Sequence, residues 1–136
     1  MISPTSESLR LFLHVMAASV WVGGQLVLAA LVPRLRTEHP EALKSIAQAF
    51  ARVAWPAFGL AFVTGIWNLL AVDPTAHGDT YLVTLALKLG LVAAAAIATL
   101  VHSNSRSKIG LAVGGAVGLL SSLAVVWLGI LLTQAG

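Results

Sequence analysis

Four long apolar runs decide what this chain can fold into. They cover roughly residues 11–32, 53–72, 81–101 and 109–132, and Lys88 is the one formally charged residue inside any of them. About 20 residues of helix cross a hydrocarbon core of roughly 30 Å, which each run is long enough to do. Lipid offers the backbone no hydrogen-bond partners, so only helices or closed barrels span it. These runs lack the period-2 alternation of barrel strands. The expected fold is an all-α membrane protein, an up-down-up-down four-helix transmembrane bundle, with residues 1–136 forming one domain in a lipid bilayer.

Composition excludes the alternatives. Hydrophobic residues make up 58% and charged residues 10%, whereas soluble domains sit near roughly 45–50% and about 25%. Eight Lys/Arg and five Asp/Glu cannot cover the surface of a soluble domain. Disordered chains, nucleic-acid modules and ordinary soluble enzymes are therefore set aside, and no nucleic-acid partner is expected. The absence of cysteine excludes disulfides, thiolate metal sites and iron–sulfur clusters. The first run has no basic side chain before Arg10 and is longer than a signal peptide's apolar region, so it reads as a mature helix.

Basic residues set the expected orientation. Arg34, Arg36, Lys44 and Arg52 lie in the connection 33–52, and Arg106 and Lys108 in 102–108, while 73–80 and the C-terminal tail have none. The positive-inside rule makes the first and third connections cytoplasmic and leaves both termini outside. Pro40, then Leu43, Ile46, Ala47, Phe50 and Val53 at helical spacing, predict that the second helix begins early along the interface, with Pro56 a candidate kink. Gly110, Gly114 and Gly118 form a small-residue row. It serves either packing inside the bundle or a homo-oligomer face.

Function in such a chain is sought among its costly polar residues. Lys88 and His14 stand out, with Asn68 and Trp127 placed at a comparable depth, roughly 5–10 Å below the outer boundary. His102 lies about 21 Å further along its helix than Lys88, too far to share a small site with His14. Each has a plainer role available: a snorkelling Lys88, a packed His14, an interfacial His102. Two nitrogen donors at one level point to axial ligands for a porphyrin, with His14 and Lys88 as the metal-binding pair. Arg10, four residues before His14, is placed to pair with a haem propionate. Trp21, seven residues after His14, shares its face, with Ala17, Ala18 and Gly24 leaving space for close packing or for a flat ligand. Copper is the alternative cargo, although only Met1 and Met16 could add soft ligands.

The stretch from Leu13-His14-Val15-Met16-Ala17-Ala18-Ser19 through Trp21-Val22-Gly23-Gly24, with Pro33-Arg34 after it, resembles the first helix of the CopD-like membrane proteins. That group includes the copper-resistance D proteins and the HemJ-type protoporphyrinogen oxidases. Phe50-Ala51-Arg52 through Thr64-Gly65 is similar to the group's second helix, and Leu82 through Lys88 to His102 to its third. The resemblance implies haem b held by a histidine of helix one and a lysine of helix three, positions matched here by His14 and Lys88. It also implies a bacterial plasma membrane, and either oxidoreductase chemistry of the HemJ type or copper delivery. The expected function is a haem b-binding, cytochrome-like membrane protein with an unidentified redox partner, and membrane copper binding or transport is the alternative.

Overall fold

A computed structural model of the chain describes residues 1–135. Four helices account for nearly all of it: α1 (Ser6–Glu38), α2 (Leu43–Ala71), α3 (Asp79–Asn104) and α4 (Lys108–Gln134). The described residues contain no strand. The expected all-α, four-helix fold stands, and each helix is long and apolar enough to cross a membrane.

The distribution of side chains is that of a protein solvated by lipid. Its buried apolar residues are Ala17, Trp21, Ala54, Ala95 and Ala98, while large side chains such as Phe12, Val15, Phe62, Val83 and Ile97 are exposed. Water would penalise that much open apolar surface, which in soluble monomers seldom forms large contiguous patches. Lipid does not, and small residues inside let the helix backbones approach. This is a membrane protein.

The helices are longer than the hydrophobic runs. They hold 33, 29, 26 and 27 residues, or about 39 to 50 Å at about 1.5 Å per residue. The sequence reading ended the first helix at Pro33, but α1 continues through Pro33 to Glu38. Arg34 and Arg36 are therefore helical, and the first connection is only His39 and the 3₁₀ turn Pro40–Ala42. Hydropathy marks where lipid ends, whereas a helix ends where its backbone hydrogen bonds end. Beyond the lipid boundary α1 is held by side chains, with Arg34 Nε donating to Glu38 Oε1 at 3.0 Å and Thr37 Oγ1 to the Arg34 carbonyl at 2.9 Å.

The ends are capped by local chemistry. Thr5 Oγ1 accepts from Ser8 N–H and Ser8 Oγ accepts from Thr5 N–H, a capping box at the start of α1. Ser107 Oγ accepts from Gly110 N–H at the start of α4. Between α2 and α3, Asp73 accepts from both the N–H and the hydroxyl of Thr75. Those two bonds favour the carboxylate and hold the Asp73 pKa below its ordinary value. Gly78, at φ +83°, takes a left-handed conformation that a side chain would resist.

The contacts group the chain into two compact units, residues 1–72 and residue 73 onward. Each is an antiparallel helical hairpin. In the first, His14 meets Ala61 and Thr64, Trp21 meets Phe58 and Trp55, and Gly24 faces the Phe50 ring. In the second, Lys88 lies against Gly129, Thr99 against Gly118, and Ala98 and His102 against Gly114. Gly114 and Gly118 are buried. Their row packs α4 onto α3, which is the first of the two roles its spacing allowed.

Candidate functional site

The α1–α2 hairpin holds the most constrained polar cluster in the chain. Its centre is Thr64, the largest fully buried side chain at 2% exposure. The Thr64 hydroxyl donates to the Leu60 carbonyl at 2.7 Å, in its own helix, with the Ala61 carbonyl a second acceptor at 3.1 Å. Its proton being spent there, its lone pair faces His14 Nδ1 at 2.9 Å. The Ala61 carbonyl lies 3.0 Å from the same nitrogen. A carbonyl can only accept, so Nδ1 carries the proton and donates to both. In the neutral ring the lone pair then belongs to Nε2. Gly65 stands beside the ring, and a Cβ there would meet His14 Cε1 at 3.6 Å.

One turn along, towards the start of α1, the antiparallel register brings Arg10 and Asn68 to the next level, four residues before His14 and four after Thr64. Arg10 is buried at 7% exposure, and its one ion pair, with the exposed Glu7, is a loose 3.9 Å. Arg10 Nε and Asn68 Oδ1 are both buried without a hydrogen-bond partner. An unsatisfied buried polar group costs about 1–3 kcal/mol, more when charged. Arg10 Nε lacks an acceptor and Asn68 Oδ1 lacks a donor, so a ligand oxygen would satisfy the first and only an O–H or N–H the second.

The other residues singled out from sequence sit differently. Trp21 is buried in an aromatic cluster, 5.3 Å from Trp55 and 4.6 Å from Phe58 between ring centroids. The space beside Gly24 is filled by Phe50, so the small residues there serve close packing. Trp127 is 62% exposed on α4. Lys88 is half-buried on α3, and its Nζ would be 3.2 Å from a Cβ at Gly129. His102 Nδ1 lies 2.6 Å from the Leu111 carbonyl, again a proton donated to an acceptor, and the ring rests beside Gly115. That bond ties the end of α3 to the start of α4.

Thr64 was missed from sequence. Its signal was present: it lies four residues before Asn68, on the same face of one helix. A lone threonine in an apolar helix usually bonds its own backbone, and only the register against α1 reveals its second role.

No family model, no curated protein and no solved structure matches this chain.

Among the described residues no group of three or more His, Cys, Asp or Glu side chains comes together. A bare metal ion draws its several ligands from the protein. Haem iron already has four porphyrin nitrogens and asks the protein for one or two more, plus partners for its carboxylates. A single oriented imidazole beside a buried, under-bonded arginine fits the second demand.

Proposed function

We propose that this is an integral membrane haem b-binding, cytochrome-like protein for electron transfer or porphyrin-linked redox chemistry. The observation that carries the proposal is the double hydrogen bond from His14 Nδ1 to Thr64 and Ala61. Metal-ligating histidines characteristically donate their other ring N–H to a carbonyl or similar acceptor, which fixes the tautomer and raises the basicity of the ligating nitrogen. His14 Nε2 would hold the iron. Arg10 would hold a propionate carboxylate in a charge-assisted hydrogen bond, and Asn68 could join it only through its amide N–H, since its Oδ1 accepts. Lys88, the sole cation within the apolar runs, would be the second donor on the sequence reading alone. Haem supplies a one-electron redox couple; the protein sets its potential through ligand identity, burial and hydrogen bonding.

Purified protein should show a Soret band and a b-type pyridine haemochrome, and a colourless, haem-free preparation from haem-replete cells would refute the reading. Lys88 is tested separately. Lys88→Arg keeps the charge but cannot ligate, because arginine does not deprotonate. Its spectrum should differ from wild type across a pH titration, and identical spectra at every pH would remove Lys88 from the ligand set while leaving His14 in place.

Both termini are proposed to lie outside, supported by the basic residues of the helix ends flanking the α1–α2 turn and of the α3–α4 turn, and their absence from 73–80. The chain has no cysteine, so single cysteines introduced at Ala76 and at Ser103 report cleanly. They should react with an impermeant maleimide from opposite sides of sealed vesicles, and labelling of both from one side would overturn the orientation.

A further inference from the structure

The α3–α4 hairpin has an apolar groove with a volume of about 570 Å³ at the end where its two helices join. Its floor is Ala98 and Gly114, and its walls are Ile97 and Val101 from α3 and Val113 and Val117 from α4. The floor is buried and the walls are open, with Ile97 at 62% and Val113 at 56% exposure. Gly114 lets α4 lie against α3 here, since a Cβ would meet the α3 backbone at Ala98 and His102. From Ile109 to Val117 the α4 wall is about 12 Å long, most of the roughly 15 Å of hydrocarbon in one leaflet.

Lipid contact alone would not single this groove out. Its mouth does. Lys108 directly precedes Ile109, and Arg106 lies in the turn before it; both are exposed. No Asp or Glu follows Asp79 in the whole chain, and neither cation takes part in an ion pair among the described residues. Two unneutralised cations therefore stand at the head of a channel one leaflet deep.

The geometry points to a binding site for an anionic phospholipid, with one acyl chain in the groove and its phosphate between Arg106 and Lys108. The apolar length suits a chain, and the positive end suits a phosphodiester. The two requirements meet in a single lipid. This site is independent of haem and of His14.

Native mass spectrometry of the full chain, released from micelles containing equal amounts of phosphatidylglycerol and phosphatidylcholine with the same acyl chains, tests it. Phosphatidylglycerol should be retained preferentially. Each basic residue near an anionic headgroup contributes about a fivefold factor, so Arg106→Gln with Lys108→Gln should weaken retention by roughly 10–30-fold. Val113→Trp fills the groove from an exposed wall position, leaves both charges in place, and should also lower retention of phosphatidylglycerol. If that variant fails to fold, Ile97→Trp obstructs the groove from the opposite wall. Equal retention of the two lipids by wild type would overturn the proposal. So would full retention by a groove-filled variant, since that leaves only diffuse surface attraction. A dimer that disappears on filling the groove would also overturn it, by making the occupant a second copy.

Discussion

Membranes expressing His14→Ala should yield protein that has lost most of its haem, while Thr64→Val should retain a weakened and spectrally altered form. The two effects differ because the residues act at different removes. His14 offers the ligating nitrogen; Thr64 and the Ala61 carbonyl hold the proton on the opposite one. Removing a partner that orients a ligating histidine typically costs about 10–100-fold in affinity. Thr64→Val keeps the shape and deletes the hydroxyl, and the Ala61 carbonyl still accepts, so the loss should lie at the lower end, near tenfold. Thr64→Ser restores the hydroxyl and should restore the spectrum. A merely structural threonine would change stability without moving the reduction potential or the Soret maximum. His102→Ala serves as the contrast: His102 lies about 21 Å along α3 from Lys88 and is committed to Leu111, so haem content should not change. Full haem retention by His14→Ala would end the assignment of that ligand.

Gly114→Val should unfold the α3–α4 hairpin more readily than any other glycine substitution in it. A Cβ at Gly114 would lie 2.9 Å from the His102 nitrogen and 3.0 Å from the Ala98 oxygen. Those are backbone atoms and cannot swing aside as a side chain can, so the helices must separate. Overpacking of this kind costs about 1–3 kcal/mol, and separation would also stretch the bond from His102 to Leu111. Gly90 is the control, with nothing within 4 Å of its would-be Cβ. There alanine gains up to about 1 kcal/mol of helix propensity and should be neutral or stabilising. Thermal unfolding in detergent followed by circular dichroism compares the pair. A Gly114→Val protein as stable as Gly90→Ala would show that the helices do not approach this closely.

The architecture was legible in the sequence because lipid imposes one simple demand, a long apolar helix, and four runs met it. The helix ends were less legible, since the rule that found the runs is blind beyond the lipid: Arg34 to Glu38 is polar and still helical. The role of the Gly110, Gly114 and Gly118 row was open because a close approach within a chain and one between chains need the same spacing. At the candidate site, periodicity alone placed Arg10 on His14's face, and the structure buries it. What periodicity could not supply was the offset between α1 and α2, and that offset determines that Thr64 meets His14 and that Phe50 fills the space at Gly24.

His14 has its backbone in one helix and its ring anchored to the next. Both acceptors of its proton, Ala61 and Thr64, belong to α2. The direction of Nε2 is thus set by the offset between two helices. A slide of one residue's rise, about 1.5 Å, would carry the ring away from both acceptors at once. The hairpin works as a vernier, in which a small lengthwise displacement becomes a rotation of the imidazole and so a change in where its lone pair aims.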